Sequence, residues 1–456
     1  MSSYDFWANH SFLDSSQVSE KAAVDYLLKG SRNPYPQDVP DISARIALSA
    51  LSLLGDKEYA RTGTRREAGG LSHLYKQQSF QDYLHERFIR YHDLLEASPD
   101  LSNLPAGSFT LSFTFTLDKP YISKDDTALH LLDNPVKKDW VFKLPYVAST
   151  QWKGALRATM VRQLVDWWQS LEQAQQSQRT QQKQFVIWRV QLTRLFGTET
   201  ENLQYYLERC GGEKLGQWYK RYVRRFLSQS SFLAGRLYFY PSFFHRLSLE
   251  VINPHDRETG AGSLPIYFES VPIGATAPFT LLYTPLDRVG RDGAETRRQV
   301  TADLQLIAGG LQAMLTVYGF GAKTSSGFGV ADDAIEAGVL VVKLPDVTFP
   351  QIEGPPIQKP DDEYLKYLDE TGQIKSGFEG NGEGGLMSNR EYKDGGEQLG
   401  GGSLSEFKAF RKWYDEHGKE WQESFKTGTS AAIHPTLSFE RLGQLSEILH
   451  QMGDGA

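Results

Sequence analysis

The most regular pattern in the chain runs from Ser108 to Leu117, where Phe109, Leu111, Phe113 and Phe115 alternate with Thr110, Ser112, Thr114 and Thr116. A period of two predicts a strand with one buried face. Ahead of it, apolar spacing in 18–28, 42–54 and 80–95 predicts helices, with Pro34, Pro36 and Pro40 separating the first two. After it, a polar loop over 118–143 leads to a helix that starts at Ser149 or Thr150 and runs through Trp167. Its stripe is Ala155, Leu156, Thr159, Met160, Gln163, Leu164 and Trp167. The Gln-rich stretch 169–184 reads as an exposed helix extension or a mobile connection. Strand-like runs return at 235–240, 247–252 and 279–283, and 302–317 predicts a helix ending in a glycine-rich turn. The order strand, helix, strands, helix, strand over 108–345 predicts an α+β, ferredoxin-like unit with the layout of RNA-recognition folds. Three regions follow: helical 1–105, a core at 106–345, and a C-terminal extension at 346–456. In the last, ten glycines among residues 376–403 predict a flexible loop, and an aromatic helix is expected over 407–421.

Composition excludes several classes. The chain has 456 residues, 40% apolar and 23% charged, and no stretch approaches the about 20 uncharged apolar residues of a membrane span. Its N-terminus has no basic segment followed by an apolar one, so the expected location is cytoplasmic. Cys210 is the single cysteine, which excludes an internal disulfide or a multi-thiolate zinc site. The net charge of −7 conceals a division: residues 134–246 carry 18 Lys/Arg against 7 Asp/Glu, a net +11 that leaves −18 on the rest. A basic middle suits a nucleic-acid partner or a set of solvated helix faces.

The turn Gly319-Phe320-Gly321-Ala322-Lys323-Thr324-Ser325-Ser326-Gly327-Phe328-Gly329 is the most specific segment. A nucleotide-triphosphate loop needs glycine immediately before Lys-Thr, where Ala322 stands, and Val317 holds the place of its first glycine. A dinucleotide fingerprint should follow a strand, whereas this turn follows a helix. Two readings remain. One is a backbone surface open to a sugar-phosphate chain, with Lys323 and the hydroxyls of Thr324, Ser325 and Ser326 available to phosphates. The other is a tight helix-to-strand connection.

A helix followed by Gly-x-Gly-Ala-Lys-Thr-Ser-x-Gly-x-Gly resembles the signature of the RAMP superfamily, the RNA-binding subunits of CRISPR effector complexes. Two further segments agree. Asp133-Asn134-Pro135-Val136, then Pro145 to Arg157 with Lys153-Gly154 inside it, is similar to the family's Asp-x-Pro-Val loop and helix start. Asn253 to Glu269, followed by Val271-Pro272 and Gly274, is similar to the thumb-like projection of backbone subunits, here 247–275. The likeness covers about 109–332. It departs at Thr150-Gln151-Trp152, where the family usually has Ser-Ser.

The resemblance implies a backbone-type subunit of a type III complex, with guide RNA, target RNA and other effector subunits as partners. It implies RNA contact through Lys153, Arg157, Arg257, Gly319, Gly321, Lys323, Thr324, Ser325, Gly327 and Gly329. It also implies target-RNA cleavage by Asp133, holding Mg2+ or Mn2+ at the scissile phosphate, with the neighbouring 2′-hydroxyl attacking. Asp125, Asp126, His130 and Asp139 are nearby candidates to complete a metal site, or plain loop polarity. Two alternatives stand: a non-catalytic capping subunit, and a metal-independent guide-processing ribonuclease using His255. Arg221, Arg224 and Arg225, interleaved with Tyr219, Tyr222 and Phe226, read as an amphipathic helix with its aromatics in the core. His92-Asp93 reads as surface.

Overall fold

The computed structural model describes residues 24–29, 42–52, 57–62, 70–95, 97–124, 130–226, 233–253, 265–344, 349, 360–369, 372–380, 386–393, 400–428 and 434–453. Two units result: 1–344 with 437–456, and 345–436.

In the first unit, helices α1 (Ile42–Ser52), α2 (Lys57–Thr62), α3 (Gly70–Lys76) and α4 (Gln78–Arg90) precede β1 (Phe109–Leu117). The short β2 (Tyr146–Val147) leads into α5 (Ser149–Ser170), and α6 (Arg179–Phe196), α7 (Glu201–Gly211) and α8 (Glu213–Phe226) follow. Then come β3 (Leu237–Phe239), β4 (Ser242–Phe243), β5 (Ser248–Ile252), β6 (Ile266–Ser270), β7 (Thr276–Tyr283), α9 (Gly293–Ala313) and β8 (Ala331–Val342). The main sheet is ordered β3-β7-β1-β8-β9, where β9 is Thr436–Arg441. The pairs β3–β7, β7–β1 and β1–β8 are antiparallel. Taken as β1-α5-β3-β7-α9-β8, the four core strands stand in the order second, third, first, fourth. This interleaving of two βαβ halves is a ferredoxin-like core.

The alternation in β1 does what its period predicts: Phe109, Leu111, Phe113, Phe115 and Leu117 are buried. Register sets Phe109 opposite Tyr283 and Phe113 opposite Phe279, and each pair of rings stacks, with centroids 4.5 and 4.9 Å apart. Trp152, Leu156, Met160 and Leu164 of α5 lie one helical turn apart, and all are buried.

The run Gly293–Tyr318 is long and apolar enough to cross a membrane by length and composition, a feature that counting charge-free runs overlooked. Its apolar side belongs to the core, where Val300, Leu304, Ile307 and Leu311 are buried. The last helix, α11 (Leu442–Gly453), packs on α9, and Gln305 Nε2 donates to Leu449 O at 2.7 Å. The described residues 437–453 therefore group with the first unit rather than with the preceding C-terminal residues.

In the second unit, Tyr367, Leu368, Phe378, Tyr392, Phe407, Phe410 and Trp413 form a buried cluster, the last three on α10 (Leu404–Gly428). Phe378 and Tyr392 lie inside the stretch expected to be a flexible loop. Tyr392 stacks on Phe407 at 3.9 Å between ring centroids, so at these residues that expectation is corrected. Two large aromatics supply the burial that the glycine count concealed.

Candidate nucleic-acid interface

The chain leaving β1 organises the site. Tyr121 pairs with Val271 through two backbone hydrogen bonds of 3.0 and 2.9 Å, fixing residues 120–124 beside the end of β6. Pro120 O accepts from Gly329 N at 2.8 Å and Ile122 O from Ala322 N at 2.7 Å, so the glycine-rich turn lies along the same segment. Ser123 Oγ accepts from Lys137 N at 2.8 Å, tying in the loop that carries Asp133. Phe320 is buried, 4.6 Å from Trp152 and 5.5 Å from Tyr121 between ring centroids, which brings the start of α5 to the turn. Three segments distant in sequence thus meet at one end of the sheet.

Close packing explains three of the four glycines. A Cβ at Gly329 (φ 69°) would lie 1.9 Å from Phe320 O, at Gly319 2.7 Å from Phe328 O, and at Gly321 2.6 Å from Ile122 O. The fourth, Gly327 (φ 84°), has nothing within 4 Å. The helix-to-strand connection therefore accounts for Gly319, Gly321 and Gly329, of which Gly321 is still exposed together with Lys323 and Ser325–Gly327. Lys323 adopts a left-handed conformation (φ 56°), with its ammonium 5.0 Å from the centre of the Phe268 ring. Thr324–Ser326 form a 3-10 turn in which Ser325 is exposed.

Lys153 and Arg157 share a face of α5. Burial first, and then the neighbouring Arg157 charge, hold the Lys153 ammonium below the ordinary lysine value. Arg157 lines an open groove of about 600 Å³ between α5 and α7, together with Arg162 and Tyr206. Trp152, which departs from the family pattern, is a core residue: its ring is buried and Nε1 donates to Ser242 Oγ at 2.9 Å.

Asp133 sits at the rim with its side chain 76% exposed, paired with Arg61 Nη2 of α2 at 3.0 Å, while Arg61 Nε donates to Leu131 O at 2.9 Å. Asp139 is a turn builder, accepting from Val141 N at 2.8 Å and Phe142 N at 2.9 Å. Among the described residues no three His, Cys, Asp or Glu side chains converge as a metal ion would need. A divalent ion held by one carboxylate and substrate phosphates needs no such cluster. A carboxylate beside a guanidinium also offers a proton acceptor and a phosphate clamp in one place. Arg257, His255, Asp125 and Asp126 lie outside the described residues. The two legs of the thumb-like segment, β5 and β6, pair antiparallel from Ser248 opposite Ser270 to Ile252 opposite Ile266.

Glu269 is the residue that sequence reasoning did not single out. Its carboxylate is fully buried and accepts from Tyr75 Oη of α3, from Val136 N at 2.9 Å and from Lys138 Nζ; His130 Nε2 is 3.9 Å away. Burial alone would push this carboxyl up, but the Lys138 and His130 charges and the hydrogen bonds hold it below the ordinary value. One carboxylate thereby clamps the Asp133 loop to the end of β6 and to the N-terminal helices. The available signal was a glutamate directly after the run Ile266-Tyr267-Phe268 in the strand Ile266–Ser270.

The basic middle is partly spent inside the fold. Arg189 pairs with Glu199, Arg194 and Arg236 share the buried Asp303, and Lys138 is held by Glu269, while at the surface Lys220 meets Glu208 at 2.9 Å. In α8, Leu215, Tyr219 and Val223 are buried while Arg221 and Arg224 are exposed, so the helix is amphipathic, but Tyr222 is 39% exposed, which corrects the expectation that it lies in the core. His92 and Asp93 are exposed.

No curated protein matches the chain. Among solved structures it is similar to a chain of the type III-B Cmr-beta complex bound to cognate target RNA, with 11% identity, 71% of this chain and 100% of that one covered, and a TM-score of 0.35. A chain of a CRISPR RNA-guided surveillance complex matches at 11% identity over 76% and 99% of the two chains, with a TM-score of 0.33. Cmr6 from Pyrococcus furiosus matches at 16% identity over 50% and 98%, with a TM-score of 0.25. At these scores the likenesses add no argument of their own. The RAMP superfamily matches residues 106–332, the span that holds β1, the Asp133 loop, the start of α5 and the glycine-rich turn, and by that match the chain belongs to the RAMP superfamily.

Proposed function

We propose that this chain is an RNA-binding subunit of a CRISPR RNA-guided ribonucleoprotein of the type III kind, contacting guide RNA at the end of the sheet where the glycine-rich turn, the start of α5 and the Asp133 loop meet. The observation that carries this reading is that convergence, which leaves Lys323 and the Thr324–Gly327 backbone at the surface beside the face bearing Lys153 and Arg157. Cations spaced along such an edge match phosphates, and binding of that kind weakens with salt through counterion release. Guide RNA, target RNA and other effector subunits are the partners this reading names, in a cytoplasmic complex. Replacing Lys153 and Arg157 together with alanine should weaken RNA binding and make the salt slope shallower by up to about two. An unchanged slope removes α5 from the interface, and absence of RNA binding by the wild-type chain at low salt defeats the reading itself.

A second reading adds target cleavage, on the observation that Asp133 presents an exposed carboxylate on a loop pinned by a buried ion pair. The RNA's own 2′-hydroxyl would attack the adjacent phosphorus and release a 5′-hydroxyl strand, leaving a 2′,3′-cyclic phosphate. On this reading Asp133→Ala in the assembled complex removes site-specific cutting and leaves target binding nearly intact, and a 2′-deoxy substitution at the cut blocks the wild type. Cutting with an unchanged rate and pattern in the variant overturns this second reading and leaves the first standing.

A further inference from the structure

One exposed feature belongs to none of the motifs above. Between the Asp133 loop and α5 the chain makes a tight turn, Asp139–Leu144, that holds Trp140 and Val141 out at 81% and 74% exposure. An indole left in water forgoes one of the largest apolar burials any side chain can make. This turn is nonetheless rigidly built. The Asp139 carboxylate accepts from Val141 N and Phe142 N, its carbonyl accepts from Lys143 N at 3.0 Å, and its N–H donates to Leu144 O at 2.9 Å. Phe142 is anchored against Tyr91 and Phe243, with ring centroids 5.2 and 5.9 Å away, and its carbonyl accepts from Arg87 Nε at 3.1 Å. Lys143 takes a left-handed conformation (φ 58°) that sets its ammonium 5.8 Å from the centre of the Trp140 ring. Asp139, the acidic group of the turn, is committed to backbone donors.

We propose that Trp140 is a stacking platform for an unpaired base of bound RNA, with Lys143 placed for the phosphate beside that base. The proposal rests on the RNA-binding reading and assigns it a residue that the family motifs do not contain. An exposed aromatic ring with a cation over one face leaves the other face open and suits single-stranded nucleic acid, because every base offers a π-face and every nucleotide a charge. The turn continues directly from the Asp133 loop: Lys138 bridges to Pro145, and Tyr146 N donates to Lys137 O at 3.2 Å. A strand of RNA following the loop toward α5 would therefore pass the indole. Preorganisation of the turn by Asp139 means that little backbone freedom is lost on stacking.

The test uses the full chain with an unstructured oligouridine as probe, titrated at several salt concentrations. Trp140→Ala should weaken binding by about 5- to 100-fold with an unchanged salt slope, since stacking releases no counterions. Trp140→Phe should recover most of the affinity. Lys143→Asn, chosen because asparagine tolerates the left-handed backbone, should make the slope shallower by about one. Thermal melting of the Trp140 variants should match wild type, because the ring packs against no core residue. Oligouridine binding by Trp140→Ala equal to wild type overturns the proposal, whether or not that variant loses assembly with other subunits; lost assembly would identify the ring as a protein contact. Failure of the wild-type chain to bind RNA would instead overturn the functional reading on which the proposal rests.

Discussion

Glu269→Ala should destabilise the core unit by about 3–5 kcal/mol, because it removes one partner of a buried ion pair and leaves the other uncompensated. Lys138 would lose its counter-ion, and Val136 N and the Tyr75 hydroxyl their acceptor. The damage should concentrate in two places that sequence separates widely, the Asp133 loop and α3, so amide exchange should quicken at Val136 and Lys138 as well as in Gly70–Lys76. The pH dependence has a definite sign. The Glu269 carboxyl is held below its ordinary value, so its stabilisation is fully present above the unfolded value of about 4.3 and is lost as pH falls through the folded one. Burial and the Glu269 charge hold the Tyr75 hydroxyl well above its ordinary value, so its contribution is present below about pH 10 and is lost as pH rises through the folded value. Denaturant titrations over a pH series should show a shallower acid limb for Glu269→Gln than for wild type. Matching acid limbs would show that the clamp contributes nothing.

Gly329→Ala should cost about 2–6 kcal/mol, combining a strained positive φ with overpacking against backbone that cannot yield. A Cβ there would stand 1.9 Å from Phe320 O, and Phe320 N also donates to Gly329 O at 2.9 Å, so relief of the clash breaks the turn. Gly327→Ala meets nothing within 4 Å and should cost only the left-handed penalty of about 1–2 kcal/mol. Chemical denaturation separates the two. On the RNA-binding reading proposed above, the consequences for RNA should run differently, because Gly327 lies on the exposed arc beside Ser325, where an added methyl group meets nothing of the fold. Equal stability losses in the two variants would refute this division of the glycines.

Local periodicity made much of this protein legible from its sequence. Alternation in Ser108–Leu117 identified β1 and its buried face, the stripe from Leu156 to Trp167 identified α5, and the order of elements identified the ferredoxin-like core. Period and spacing are properties of neighbouring residues, and they report burial because a strand or a helix shows a fixed face. Motif spacing likewise located the glycine-rich turn and the family to which the chain belongs.

Tertiary structure alone decided which of those residues are held by packing inside the fold. Gly319, Gly321 and Gly329 look the same in sequence as Gly327, yet the first three are fixed by carbonyls of the turn itself and of the chain leaving β1. Arg194 and Arg236 counted toward a basic surface until Asp303, more than sixty residues away, and Asp287, which also pairs with Arg236, took up their charges. The strand Thr436–Arg441 joins the sheet beside β8 across an intervening unit, a pairing that no local pattern encodes. Tyr75 and Glu269, and likewise Arg61 and Asp133, become partners only because the N-terminal helices dock on the core. A charge's role depends on the burial and the counter-ion it finds after folding, and both are set by residues far away in the chain.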